Sequence, residues 1–191
     1  GEALNRENRM AEAKKILREK LSGWDPKDIK LETGRHYPPY WQGFQIGAQF
    51  AFAKLLKSLG ADEIKIDLTP DTDRDATRIC FALSDHPGIF SRLSGALALV
   101  GANVVDARSY TSKDGFATAA FWVQDSDGAP YDEPRFSRLR AMIEKILSGE
   151  IITRDAIKER DKFKKRERAF KVPTSITFNN EGSEIYTIIE V

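Results

Sequence analysis

The stretch Leu83–Val105, "LSDHPGIFSRLSGALALVGANVV", decides the fold of this chain because it joins two strand patterns through a helix pattern. Just before it, "TRICFALS" (77–84) is free of polar residues on either face over most of its length, which is typical of a strand covered on both sides. The middle of the stretch carries an apolar stripe at helical spacing, made of Ile89, Leu93, Leu97 and Val100. Gly101 follows where a helix commonly ends in a left-handed residue, and a new strand begins after it.

The sequence on either side extends this β-α-β unit. Downstream, "VVDARSYTS" and "FATAAFWVQD" are strand patterns joined by a hairpin turn, "KDG", and Pro134 opens a second amphipathic helix. Upstream, "EIKIDLTP" (63–70) alternates as a half-buried strand does. The order predicts an α+β fold of the ferredoxin-like βαββαβ type, with an extra strand in front and "KVPTSITF" (171–178) as the last strand.

The first sixty residues have a helical pattern. The apolar spacing predicts one helix over 4–21 and another over 44–59, the latter ending at Gly60. Between them, "GRHYPPYW" is expected to be a turn with aromatic anchors, because Pro38 and Pro39 exclude a regular helix.

Composition and charge exclude several classes of protein. The 191 residues are 41% hydrophobic, and 30 basic against 29 acidic residues give a net charge of +1, which argues against a bulk nucleic-acid binder. A single cysteine, Cys80, rules out a disulfide framework and a multi-thiolate metal site and predicts a reducing, cytoplasmic setting. No apolar run is long enough to span a membrane. Both ends lie inside regular patterns, so we expect a piece of a longer protein.

Asp85 and His86 invite three interpretations. A metal site needs about three converging ligands, and the other histidine, His36, lies some fifty residues away, so we expect none here. A structural interpretation has Asp85 or His86 capping the helix, with Pro87 in its first turn and Gly88 allowing the bend. A third has the helix N-terminus receive a ligand carboxylate while Asp85 receives an ammonium group.

Other candidate motifs have simpler explanations. "DTD" (71–73) resembles a magnesium motif and "DSDG" (125–128) a calcium loop, but both lack the remaining ligands and are predicted to be turns. Cys80 and Trp122 are expected to be buried packing residues. The sequence has no P-loop, dinucleotide fingerprint or Ser-His-Asp order, so no catalytic residue is predicted.

Residues 77–128 resemble the ACT domain, a small βαββαβ module that binds amino acids. The resemblance rests on the "DHPGIF" turn, a helix ending in "GANV", and the hairpin motif "DARSYTSKDG". Within this family the chain is similar to the first of two ACT domains in bacterial enzymes that uridylylate and deuridylylate the signal protein PII. That similarity extends to "RHYPPYWQGF" upstream and "SITFNNEGSEIYTIIEV" downstream.

The resemblance implies a domain organisation. Residues 1–60 would be the helical segment after an HD-type hydrolase domain, 61–180 the ACT domain with a charged insert at 154–169, and 181–191 the first strand of a truncated second ACT domain. The nucleotidyltransferase and hydrolase motifs of such enzymes do not occur in this chain. The piece is therefore expected to be non-catalytic and to have no cofactor, with magnesium required only by the absent domains.

The resemblance also implies a regulatory role. Glutamine would bind the ACT region as an effector and shift the enzyme from uridylylating PII to deuridylylating it, with ACT–ACT pairing within or between chains. The effector-binding residues carried over are Asp85, His86, Gly88, Ile89, Asn103 and Val104. His86 stands where the family often has Arg or Asn, so a side-chain contact there is the weakest part of the expectation.

Three alternatives remain open at this point. The chain could be a docking module that recognises PII directly. It could be the regulatory ACT domain of an amino-acid biosynthetic enzyme, although the flanking "YPPYW" and "IYTIIEV" argue against that. It could bind nucleic acid through the basic run 154–169, although acidic residues dilute that run and the near-zero net charge disfavours it; a solvated, helical connector is the simpler interpretation. We expect neither a nucleic-acid nor a membrane partner.

Overall fold

Four helices lead into an antiparallel sheet, and two more cover its opposite face. The structure, a computed structural model, describes residues 1–149 and 185–187. The helices are α1 (Glu2–Lys20), α2 (Pro26–Gly34), α3 (Pro38–Gly43), α4 (Ile46–Leu56), α5 (Ile89–Leu99) and α6 (Phe136–Ser148), the last preceded by a short 3₁₀ turn, Glu133–Arg135. The strands are β1 (Ile64–Asp71), β2 (Ala76–Ser84), β3 (Asn103–Thr111), β4 (Phe116–Gln124) and β5 (Ile185–Thr187). No helix in these ranges is long and apolar enough to cross a membrane.

The strand order β1-β2-β4-β3-β5 contains the β2-β4-β3 order of a ferredoxin-like sheet, but a different strand lies at the edge next to β2. In a βαββαβ unit the last strand pairs antiparallel with the first, which here is β2. That edge is occupied by β1, which pairs with β2 from Ile64 opposite Leu83 to Asp71 opposite Ala76. The expected last strand, 171–178, lies outside the described residues.

Both faces of the sheet are covered, as the pattern of "TRICFALS" predicts. Ile79, Phe81 and Leu83 of β2 pack in a core with α5 and α6. Cys80 and Ala82, on the other face of β2, pack in a second core with α1 to α4. Cys80 is fully buried, and burial raises the pKa of its thiol to about 12, so it is a packing residue, as predicted.

The helical segment differs from the prediction at two points. The prediction of a turn at "GRHYPPYW" is wrong, because α3 begins at Pro38. Both prolines stand in its first turn, where a backbone N–H is not needed and a fixed φ favours the helix. Helix α2 was not foreseen, although its start carries a clear signal: Asp25 accepts a hydrogen bond from the Lys27 N–H at 2.9 Å, and Pro26 follows it.

The two turns that flank β3 follow the sequence expectation. Gly101 has φ 80°, and its N–H and that of Ala102 donate to Ala98 O and Leu97 O, which closes α5 in a Schellman motif. Gly115 has φ 87° in the hairpin turn between β3 and β4. These turns fix the register of β3, which places Thr111 level with the end of β2, on the far side of β4.

A polar cluster joins the helices to this hairpin, and we name its buried members Glu32, Arg35 and His36, together with the exposed Asp114, the docking cluster. Arg35 Nη1 lies 3.1 Å from Glu32 Oε1, and Arg35 Nη2 lies 2.7 Å from Asp114 Oδ2. His36 Nε2 lies 2.7 Å from Glu32 Oε2, and its ring stacks on Tyr40 with centroids 3.6 Å apart. The aromatic and basic residues of "RHYPPYW" are therefore structural.

The docking cluster predicts a pH-dependent stability. Burial lowers the pKa of His36, although the Glu32 carboxylate opposes that shift. Because the unfolded chain then binds a proton that the folded chain resists, the free energy of unfolding should fall as pH drops below the ordinary histidine pKa of about 6.5. Urea titrations between pH 7.5 and 5.5 should show this slope in the wild type and in His86→Gln, since His86 is exposed. A slope unchanged in His36→Gln would contradict the assignment.

Candidate effector site

The predicted effector turn lies between the end of β2 and the start of α5. Residues 86–88 are exposed, and Gly88 is the N-cap of α5 with a left-handed φ of 82°. No side chain caps the helix, so the predicted capping by Asp85 or His86 is wrong. The reason is that Asp85 faces the β3–β4 hairpin instead, where its Oδ2 accepts a hydrogen bond from Thr111 Oγ1 at 3.0 Å.

Asp85 is half-buried and incompletely paired. Its Oδ1 is buried and has no hydrogen-bond partner of normal geometry among the described residues. Burial raises the pKa of this carboxyl, while the hydrogen bond from Thr111 and the neighbouring His86 lower it. A carboxylate in this condition is stabilised by a cationic donor, because a new charge-assisted hydrogen bond offsets its loss of solvation.

The backbone of the turn is organised around Gly88. Ile89 N–H donates to His86 O at 3.2 Å, and Arg92 N–H donates to Gly88 O at 3.0 Å. The Ile89 side chain is fully buried in the core beneath the turn, so this residue supports the site. His86 remains at the surface, where its Nδ1 lies 3.3 Å from its own neighbour, Pro87 O.

Asn103 and Val104 lie at the opposite end of the sheet. Asn103 pairs with Gln124, whereas the Asp85 end of the sheet is marked by Thr111, so the nine-residue strand separates the two groups by about 26 Å. Asn103 Nδ2 donates to Asp125 O at 3.2 Å, and Val104 is buried in the α5–α6 core. The structure therefore brings together Asp85, His86, Gly88 and Ile89, and it does not bring the other two to them.

An open cavity of about 530 Å³ adjoins the turn on the side of α5. Its lining includes the basic side chains of His86 and Arg92, the apolar side chains of Ile66 and Leu83, and the acidic side chains of Asp62, Glu63 and Glu144. Arg92 Nη2 donates to Leu147 O at 2.6 Å, which holds the guanidinium beside the cavity. Arg92 was missed at the sequence level. Its position in the first turn of the helix after "DHPG" could have indicated it.

Thr111 is the second residue that sequence reasoning missed. It lies inside the motif "DARSYT", and its hydroxyl is the group that fixes Asp85. The register of β3 against β4, which brings Thr111 opposite Ala117, could not be read from the motif alone.

The acidic motifs elsewhere lie in turns, as predicted, except that Asp71 is the last residue of β1. Asp71 Oδ2 accepts from Trp122 Nε1 at 2.8 Å, and Asp125 Oδ1 accepts from the backbone of Asp127 and Ala129. Trp122 is buried, as expected. In residues 1–149 and 185–187, no group of three or more His, Cys, Asp and Glu side chains could hold a metal ion.

Comparison with known proteins agrees with this architecture. Residues 78–133 match the ACT domain family. The whole chain is 65% identical over 190 residues to a bifunctional uridylyltransferase/uridylyl-removing enzyme of Cereibacter sphaeroides and 63% identical over 196 residues to that of Ruegeria pomeroyi, covering 20% and 21% of those proteins. The enzyme of the same name from Azospirillum brasilense is 36% identical over 191 residues, covering 97% of this chain and 20% of the relative. Residues 78–133 are thus an ACT domain. The whole chain is similar to a segment that makes up about one fifth of the length of these bifunctional uridylyltransferase/uridylyl-removing enzymes.

Proposed function

We propose that this chain is an amino-acid-sensing regulatory region, with glutamine as its effector. In the longer protein it would control the balance between uridylylation and deuridylylation of PII. The names of the relatives favour this function over regulation of an amino-acid biosynthetic enzyme. The ACT match supports amino-acid binding, and the chemistry itself would belong to regions that this chain does not include.

The observation that carries the proposal is the charge arrangement around the turn between β2 and α5. Asp85 offers a half-buried, incompletely paired carboxylate on the hairpin side. Arg92 offers a guanidinium on the cavity side, one helical turn after Gly88. An α-amino acid carries one ammonium and one carboxylate group, so opposite charges on two sides of one short turn match both ends of such a ligand.

Asn103 and Val104 would contribute to an effector site that this ACT domain shares with a second one. β5 pairs antiparallel with β3, with Ser109 opposite Ile185 and Ala107 opposite Thr187. A second module continuing from β5 would lie along this edge, close to the exposed Asn103. One effector could then contact the turn of one module and the β3 edge of the other, and its binding would favour one arrangement of the pair by population shift.

The test is glutamine binding by the full-length enzyme that contains this region, with Asp85→Asn as the variant. We expect at least a tenfold loss of affinity in calorimetry, because a charged hydrogen bond to the ligand ammonium is lost. Asp73→Asn is the matched control, since Asp73 lies exposed in the turn at the other end of the sheet and should bind normally. Equal affinities for Asp85→Asn and the wild type would contradict the proposed site. Binding of PII that is independent of glutamine and unchanged by Asp85→Asn would favour a docking module.

A further inference from the structure

The β3–β4 turn, residues 112–115, touches the effector turn on one side. Asp85 N–H donates to Gly115 O at 2.9 Å, immediately after the turn has reversed the chain. Thr111, just before the turn, donates its hydroxyl hydrogen bond to Asp85 Oδ2. The backbone and the side chain of Asp85 are thus both held by the hairpin.

The same four residues touch the helical segment on the other side. Asp114 Oδ2 accepts from both Arg35 Nη2 at 2.7 Å and Arg35 Nε at 3.2 Å. Lys113 N–H donates to Arg35 O at 2.7 Å. Burial alone would raise the pKa of Asp114, but the hydrogen bonds from Ser112 and Arg35 lower it, as expected for a carboxylate engaged in its ionised form.

The turn is internally braced, so it is suited to move as one body. Ser112 N–H donates to Phe116 O at 2.8 Å, Phe116 N–H donates to Ser112 Oγ at 2.9 Å, and Gly115 N–H donates to Ser112 O at 3.1 Å. These bonds tie Gly115, which contacts Asp85, and Asp114, which contacts Arg35, into one turn. Beyond Arg35, the path continues through Glu32 to His36 and its stacked partner Tyr40.

We propose that the β3–β4 turn is a relay that couples the effector turn to the helical segment α1–α4, with Arg35 and Asp114 as its positioning residues. The proposal rests on the proposed function for the identity of the signal, but the coupling is a property of this chain alone. Because coupling between two sites is reciprocal, loosening the Arg35 contact must loosen the effector turn, and the reverse must also hold.

The first test needs no ligand and uses hydrogen exchange on the 191-residue chain. In Asp114→Asn we expect amide exchange at residues 84–90 to be at least fivefold faster than in the wild type. Exchange at the remote turn 72–75 should be unchanged. In Thr111→Val we expect the same acceleration at residues 35–41. Asp127→Asn, in the turn after β4 at the other end of the sheet, is the matched control and should alter neither segment. Acceleration confined to the mutated hairpin in both variants would overturn the relay.

The second test adds 10 mM L-glutamine to the full-length enzyme. The relay predicts that glutamine slows amide exchange both at 84–90 and at 35–41 in the wild type. In Asp114→Asn, exchange should still slow at 84–90 but no longer at 35–41. Protection of 84–90 alone in the wild type would overturn the relay and leave the proposed function standing. No protection anywhere would overturn the proposed function, and the ligand-free exchange would still decide the relay.

Discussion

Replacing Gly43 with alanine should undock the helical segment from the sheet and lower the free energy of unfolding by about 3 kcal/mol, the upper range for an overpacked core site. A Cβ at this position would overlap the ring and hydroxyl of Tyr110. That ring cannot move aside, because it is buried and lies edge-on against Phe44, with centroids 4.9 Å apart. Gly43 O also accepts a hydrogen bond from Arg108 Nη1 at 2.5 Å, so the helix cannot lift without breaking it.

Gly34→Ala is the control, because Gly34 is likewise the last residue of a short helix and a Cβ there meets nothing within 4 Å. Its stability should change by less than about 1 kcal/mol. Urea denaturation measures the free energy of unfolding of both variants, and an unchanged m-value shows that only stability differs. If the overlap with Tyr110 is the cause, Gly43→Ala combined with Tyr110→Leu should be less destabilised than the sum of the single changes. Equal midpoints for Gly43→Ala and Gly34→Ala would contradict this account of the interface.

The sequence predicted the sheet well because strand signals in this chain are local. The alternation of β1, the two-sided apolar pattern of β2 and the glycines at 101 and 115 each reflect a requirement of the residue itself. The position of β1 at the sheet edge is not set by a local signal, because it depends on which strand pairs with β2. A strand predicted seven residues upstream of β2 is the nearer candidate in the chain, and short connections commonly pair.

The turn between β2 and α5 was predicted at the right place, but the contacts of Asp85 were not. A strand followed by "DHPG" and a helix suggests capping, because Asp is a favourable N-cap residue. The side chain instead bonds to Thr111, 26 residues further along, and no local pattern specifies that contact. The separation of Asn103 from Asp85 has the same origin: both flank the α5 helix in sequence, and the helix carries the chain to the other end of the sheet.

Replacing Glu32 with glutamine should destabilise the chain by about 3–5 kcal/mol, the usual cost of removing one partner from a buried ion pair. Glu32 is 2% exposed and is the acceptor for both Arg35 and His36. Without its charge, the buried Arg35 guanidinium keeps only Asp114 as an ionic partner among the described residues. The expected consequence is greater than the loss of one hydrogen bond, because a buried charge left underpaired retains its full desolvation cost.

The matching control is Glu12→Gln on the exposed face of α1, which should change the free energy of unfolding by less than about 0.5 kcal/mol. Each change removes one negative charge. Chemical denaturation of both variants therefore separates the effect of burial at position 32 from the effect of the change in net charge. The docking cluster also predicts where the loss begins. Hydrogen exchange in Glu32→Gln should accelerate first at Lys113, whose N–H is bonded to Arg35 O, and in α3. A uniform loss that spares this contact until global unfolding would mean that Glu32 stabilises the α1–α4 core without holding it to the hairpin.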